Sequence, residues 1–449
     1  MIRNIHIERG IIVKKTPLEN WIINKTKIHG NRLSLEEYQL NKIKETIQYV
    51  KENSSFYREK FKDIAIEDIN TIKDIQELPF TTSEDIGKDP YKFLCIPQKE
   101  IKRIVTLNTS GTTGKEKRIF FSSEDIDSII DFFEHGMKSL VHSDDRLLVL
   151  LPGDTFGSIG DLLKKAVKNC TKFCVVMGVL NDVEEVTKTI IQENINCIVG
   201  IPLQILYLAR TKTEIFKKNI VKVLLSTDYV PKVLVDELNN KYNCKVFNHY
   251  GMTEMGYGGG VQCEALRGYH MREVDLYFEI IDPVTGNILL DGEYGEIVFT
   301  TLTRRAMPLI RYRTGDISRF IKEKCPCGSF LKSMELLEGR MDNRVMLEDN
   351  KWLYLKELDE ILLQYTCVLN YKTYMDIDEI LVIEILTNDE EEFNKIKDEI
   401  KNKIGKLVFN KLGYVINIQL IRKYDDEIFK VKNSMVKRKI LDHRKEGGK

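Results

Sequence analysis

Between residues 100 and 255, short apolar runs alternate with amphipathic ones, and few folds accept that rhythm. The runs at 146–151, 172–177, 196–200, 221–226 and 245–248 are rich in Leu, Val, Ile and Phe, as strands buried on both faces are. Between them, 125–140, 183–193 and 231–242 carry apolar residues at helical spacing. Strand–helix alternation predicts a parallel sheet flanked by helices. In such α/β sheets ligands bind beyond the carboxyl ends of the strands. Before this region, the pattern predicts a helical lead-in to about residue 90, with helical spacing clear over 35–54. After 270 the texture changes to β-like runs at 276–282 and 296–302, joined by Pro283-Val-Thr-Gly286 and Asp291-Gly292 turn signals. Past residue 342 a further unit reads as strands at 380–386 and 414–421 with a helix over 390–403.

One loop in this frame has the chemistry of a phosphate site. Thr109-Ser-Gly-Thr-Thr-Gly-Lys-Glu-Lys117 follows the strand-like run 104–107. Glycines allow sharp turns and close approach to a ligand, and successive backbone N–H groups make an anion-binding concavity. Hydroxyls and lysines add donors and positive charge. It is not a Walker A loop, because Gly114-Lys115 lacks both the earlier glycine at the right spacing and the following Ser or Thr. The strand candidate 245–248 leads into a second polar segment, so both could reach one cleft.

Composition removes other classes. Sixty-eight basic residues balance sixty-eight acidic ones, which gives no electrostatic case for nucleic acid or an anionic membrane as partner. No apolar run approaches the roughly 20 residues of a membrane span, and charges break every apolar run near Met1, unlike a signal peptide. The expected address is cytoplasmic. Nine cysteines scattered through 449 residues do not read as a disulfide framework.

The phosphate loop resembles that of the adenylate-forming superfamily, and the chain as a whole resembles the phenylacetate–CoA ligase family. Phe56-Tyr-Arg-Glu-Lys-Phe61 and Leu78-Pro-Phe-Thr-Thr-Ser-Glu-Asp-Ile86 are similar to that family's entry segments. Asn248-His-Tyr-Gly-Met-Thr-Glu254 resembles its Tyr-Gly-x-Thr-Glu motif, Arg311-Tyr-Arg-Thr-Gly-Asp316 its Arg-Thr-Gly-Asp motif, and Gly339-Arg-Met-Asp342 its hinge. Each motif alone is weak; four in family order carry the resemblance.

The resemblance implies an α/β fold with two domains. A large N-terminal adenylation domain over 1–341 would hold mostly parallel sheets flanked by helices plus a small β section, and a small mobile α+β lid would occupy 342–449, with Asp342 at the hinge. The implied activity is ATP-dependent, AMP-forming ligation. A carboxylic acid becomes an acyl-adenylate, and the acyl group then passes to a thiol, CoA. Thr109, Ser110, Gly111, Thr112, Thr113, Gly114 and Lys117 would hold phosphates, and Glu254 would hold Mg²⁺, a cation that takes oxygen ligands. Thr253 would contact the α-phosphate, Tyr250 and Gly251 would flank the adenine, Asp316 would bind the ribose of ATP and AMP, and Arg340 would support the nucleotide. His249 and Gly258 would touch the acyl substrate; the run Gly258-Gly-Gly260 would leave room for a flat group, with Phe156-Gly-Ser-Ile-Gly-Asp161 as the opposite wall. A homodimer is a family-level expectation. Taken singly, Glu254 also reads as a solvated loop acid and Asp316 as a turn residue.

Three departures stand out. Glu116 sits where the family loop has proline. The family's C-terminal lysine falls on Val436 when Asp442 is matched, which leaves Lys437 as the candidate equivalent. Glu348-Asp-Asn-Lys-Trp352 replaces a glycine-rich stretch, so CoA as acceptor stays open beside two alternatives: an adenylyltransferase acting on a cofactor or carrier, and a nucleotide-binding homologue without turnover. Finally, Cys263, His270, Cys325 and Cys327 would make a Cys₃His set for structural Zn²⁺, although spacing alone favours buried thiols and a surface histidine. Some members of the resembled family carry a similar arrangement.

Overall fold

A computed structural model describes residues 6–8, 11–13, 15–108, 116–341, 343–424 and 438–445. The chain forms two compact units: Met1–Asp144, Asp154–Lys172 and Phe247–Glu338 make the first, and Asp145–Gly153, Phe173–Val246 and Gly339–Lys449 the second.

The second unit contains the parallel sheet that the alternation predicts. Arg146–Leu150 lies between Phe173–Val176 and Cys197–Gly200, and Lys222–Leu225 follows on the far side of Cys197–Gly200. The helices Val183–Gln192, Pro202–Thr211 and Thr213–Asn219 lie between successive strands, and Lys232–Asn240 follows the last of them. Asp182 caps the first by accepting from the backbone of Glu184 at 2.8 Å and Glu185 at 3.0 Å.

Residues after Gly339 add a four-stranded sheet in the order Ile418–Lys423, Leu381–Thr387, Val368–Met375, Ile440–Asp442. The helix Glu390–Leu412 accompanies it and runs nine residues beyond the sequence expectation. It stops where Gly413 takes a left-handed φ of 83°. The strand expected from 414 therefore starts only at Ile418. Leu148, Ile198 and Val223 of the parallel sheet share one hydrophobic core with Leu358, Leu362, Ile383 and Ile400. Arg210 stitches this core: it pairs with Glu237 and donates to the carbonyls of Leu363 at 2.6 Å and Tyr365 at 3.1 Å.

The first unit begins with the expected helical lead-in. Helix Arg32–Asn53 buries Leu35, Gln39, Ile43, Thr46, Ile47 and Val50 on one face, the i, i+4 stripe of an amphipathic helix. The strands that flank residues 109–115 pair with each other: Arg103–Asn108 runs antiparallel to Glu116–Phe121, from Arg103 opposite Phe121 to Asn108 opposite Glu116. The second strand was not legible, because Lys117 and Arg118 interrupt its apolar pattern. The small β section is present as Leu276–Ile281, Gly295–Thr301 and Tyr312–Ser318, all antiparallel.

Candidate active site

The strand ending at Tyr250 runs into a tight turn that only glycine permits. A Cβ on Gly251 would stand 1.9 Å from the Tyr257 carbonyl oxygen, so the segment after the turn folds back onto the strand end. Between these points, Thr253–Met255 makes one 3₁₀ turn, closed by Gly256 at φ 79°. That turn points Glu254 inward, where it is 3% exposed. Thr253, first in the turn, is half-buried.

Burial of a carboxylate demands a partner, and Lys117 supplies it. The Lys117 ammonium is ion-paired with Glu254 Oε1, and it also donates to Ser83 Oγ at 3.0 Å and Tyr312 OH at 3.3 Å. Tyr312 OH donates to the same Glu254 oxygen at 3.2 Å. The lysine that ends the phosphate loop and the acid of the second motif therefore meet.

Ser83 and Tyr312 had no role at the sequence level although both lie inside quoted segments. Two devices bring them together. Thr81 bridges the strand at Tyr312, with Thr81 N donating to Arg311 O at 3.0 Å and Arg313 N donating to Thr81 O at 2.9 Å. Arg311, fully buried at φ 46°, pairs with Glu279 at 2.9 Å and donates to the carbonyls of Gln76 at 2.6 Å and Leu78 at 2.7 Å. Tyr57 of the entry segment accepts from Ile310 N at 2.9 Å and lies 2.9 Å from Thr81 Oγ1. The entry segments thus lock the Ser83 and Tyr312 backbones beside Lys117.

Tyr250 and Asp316, the residues given to adenine and ribose, also meet: Tyr250 OH donates to Asp316 Oδ2 at 3.0 Å. His249 is enclosed between Phe132 and Phe133, with ring centroids 6.4 and 6.1 Å away. Burial pushes its pKa down to about 4, so the ring is neutral at physiological pH. The sign is definite: the unfolded chain gains a proton near pH 6.5 while the folded one resists it to about 4. Stability should therefore fall by about 3 kcal/mol as pH drops from 6.5 to 4. Urea unfolding of His249→Gln should show a shallower acid limb than the unsubstituted chain; equal slopes would remove this account.

Gly258 does not open space in the described state. A Cβ there would meet the Phe132 ring at 2.3 Å, and one on Gly259 would meet Met255 Sδ at 2.4 Å. The glycines let protein side chains close in, where the sequence reading assigned the room to a ligand. The expected opposite wall is nearby, since Tyr257 OH donates to Gly157 O at 3.4 Å. Arg340 belongs to the second unit. Thr109, Ser110, Gly111, Thr112, Thr113, Gly114, Asp342 and Lys437 lie outside the described residues.

Six residues past Glu254, the hairpin Gly260–Gln262 with Tyr269–Met271 starts a separate cluster. It sets Cys263 and His270 beside the Cys325–Cys327 turn, and all four ligand atoms lie within 4.8 Å of one another. Cys263 Sγ is 3.6 Å from Cys325 Sγ, and His270 Nε2 is 3.2 Å from Cys327 Sγ. Three sulfurs and an imidazole nitrogen in one small sphere fit a closed tetrahedral metal site.

The first unit thus holds the Lys117–Glu254 and Tyr250–Asp316 pairs, and the second a parallel α/β sheet. The chain belongs to the AMP-binding enzyme family, whose model matches residues 52–302, more than half of its 449 residues. Its relatives include the phenylacetate–coenzyme A ligase of Pseudomonas putida, 28% identical over 64% of this chain and 67% of that one. The phenylacetate–coenzyme A ligase of Thermus thermophilus is 25% identical over 87% of this chain and 93% of its own. A solved 2-hydroxyisobutyryl-CoA ligase, in the postadenylation state, shares the fold with a TM-score of 0.78 at 17% identity, covering 94% of this chain and 92% of that one. No described helix is long and apolar enough to cross a membrane.

Proposed function

We propose that this chain is an ATP-dependent, AMP-forming acid–CoA ligase. The observation that carries the reading is the contact of Lys117, at the end of the phosphate loop, with Glu254 in the turn after Tyr250. In the first step the acid's carboxylate oxygen attacks the α-phosphorus, the bond to the bridging oxygen breaks, and pyrophosphate leaves with that electron pair. No protein nucleophile is needed. The protein positions two anions that repel each other and stabilises the charge that builds on phosphate oxygens. Lys117 and the loop residues Thr109 to Gly114 supply donors and positive charge for that task. Thr253 serves the α-phosphate, Glu254 offers a carboxylate oxygen to Mg²⁺, and the Tyr250–Asp316 pair takes the adenosine. Arg340 supports the nucleotide. In the second step a thiol, CoA, takes the acyl group and AMP leaves.

The segment after Asp342 acts as the lid, and Lys437 is the proposed replacement for the missing tail lysine. Support for the latter is the chain just beyond it. The next residue, Arg438, is held by Asp359 at 2.7 and 2.9 Å and by Asp228 at 3.2 Å. Zn²⁺ in the Cys263, His270, Cys325, Cys327 set is structural, since every ligand position is filled by protein. Thiols kept for metal suit the cytoplasm.

The test is acid-dependent ATP–pyrophosphate exchange with pools of aryl, short-chain and dicarboxylic acids. Exchange with one pool, followed by AMP release on adding CoA, is expected. No exchange with any pool, with ATP bound, would overturn the reading. Val436 at the usual lysine position favours one alternative, an adenylyltransferase; exchange without CoA-driven AMP release would mark it.

A further inference from the structure

Two arginines beside the turn after Glu254 each carry a solvent-shielded nitrogen without the acceptor that such groups normally have. Arg304 Nη1 is shielded from solvent and meets no hydrogen-bond acceptor among the described residues, and the same holds for Arg103 Nε. The Arg304 guanidinium lies over the Phe121 ring at 4.8 Å. Its Nη2 abuts Gly256 so closely that a Cβ there would stand 2.9 Å away. Phe121 in turn stacks on Tyr257, with centroids 5.7 Å apart and planes 14° from parallel. Arg103 sits directly opposite Phe121 in the hairpin register, so both side chains leave the same face. Its Nη2 donates to Thr155 Oγ1 at 3.4 Å, and its side chain also hydrogen-bonds that of Tyr257.

The charges around Arg304 are accounted for. Asp125 accepts from the backbone N–H of Arg305 at 2.7 Å and Ala306 at 3.0 Å, and Arg272 is paired with Asp275 at 2.7 Å. Glu254 is paired with Lys117. Burial and Arg272 lower the Arg304 pKa, with Asp125, Glu254 and Tyr257 opposing. Burying a cation without a paired anion is costly, and an arriving anion would offset that cost at Arg304, with Arg103 beside it.

Its position argues against the nucleotide phosphates. Lys117 and Phe121 share one face of the same strand, but four residues apart, or roughly 13 Å at the usual rise per residue. The arginines gather at the Phe121 end of the hairpin, away from the loop, and beside the Tyr257 segment next to His249 and Phe132. We propose that Arg304, with Arg103 and Tyr257 beside it, receives a second carboxylate on the acid that is activated, so that the substrate is a dicarboxylic acid. This rests on the ligase reading above. The reacting carboxylate would face Glu254 and Thr253, and the distal one would accept from Arg304 Nη1 and Arg103 Nε.

The test compares glutarate with pentanoate and 1,4-phenylenediacetate with phenylacetate, using the full chain, Arg304→Gln, Arg304→Lys and Arg103→Gln. Two readouts run side by side: KM in ATP–pyrophosphate exchange, and direct binding by calorimetry without ATP. The expected result is that the unsubstituted chain prefers each diacid over its monoacid by at least about tenfold. Arg304→Gln should collapse that ratio, Arg304→Lys should restore part of it, and Arg103→Gln should weaken it independently if Arg304→Gln fails to fold. An unchanged ratio in both glutamine variants, or a KM for ATP that rises alike with every acid, would overturn the proposal. Diacid binding that Arg304→Gln abolishes, without exchange in any chain, would sustain this site while sinking the ligase reading. Equal binding of diacid and monoacid would sink this site alone.

Discussion

Glu254→Gln should lower acid-dependent ATP–pyrophosphate exchange by about a hundred- to a thousandfold, the scale on which preorganised electrostatic groups act. Lys117→Met should lose as much. The two residues form one buried unit with Ser83 and Tyr312, so the double variant should be little worse than either single one. Stability should separate them. Glutamine keeps an oxygen that can accept from Lys117, whereas Lys117→Met takes the ammonium partner from a buried carboxylate to which Tyr312 OH donates at 3.2 Å. Removing one partner of such a pair costs about 3–5 kcal/mol, and Lys117→Met should approach that figure in urea unfolding while Glu254→Gln falls short of it. Full exchange in Glu254→Gln would remove this acid from the reaction; additive losses in the double variant would mean that the two act separately.

The second large effect belongs to the sulfur cluster. Protein purified without chelator should hold about one zinc per chain, and Cys263→Ser or Cys327→Ser should lose it. Loss of a structural metal is among the few single changes that exceed about 4 kcal/mol. The cost should stay below the roughly 10–16 kcal/mol seen when zinc folds an isolated finger, because the Gly260–Gln262 and Tyr269–Met271 hairpin already holds two ligands. Elemental analysis showing no zinc would end this account; zinc retained in both serine variants would place it elsewhere.

Periodicity located the parallel strands because Arg146–Leu150, Cys197–Gly200 and Lys222–Leu225 are buried almost throughout, and even the half-buried edge strand Phe173–Val176 reads as an unbroken apolar run. It could not show that Glu116–Phe121 pairs with Arg103–Asn108, since a strand carrying Lys117 for the site hides its own pattern. Glu254, Lys117, Tyr250 and Asp316 were legible from residue type and resemblance. Ser83, Tyr312, Arg311 and Arg304 were not, because their roles come from contacts across long stretches of chain: Arg311 with Glu279, Thr81 with Tyr312, Lys117 with Ser83. Arg311 illustrates the limit. In the string it is one more basic residue of a motif; folded, it is a fully buried clamp on the carbonyls of Gln76 and Leu78. Gly258 shows a related limit: a missing side chain can admit a neighbour's ring, here that of Phe132, as readily as a substrate.

The core that joins Leu148, Ile198 and Val223 to Leu358, Ile383 and Ile400 has a consequence in time. The parallel strands leave the ribosome while the partners that cover part of them are still being translated. At about 5–20 residues per second, the segment Gly339–Lys449 takes on the order of ten seconds to emerge. For that interval the nascent sheet carries uncovered apolar surface. Holding by a chaperone, or slow codons placed before residue 339, would therefore matter more to the yield of native enzyme than any single surface substitution.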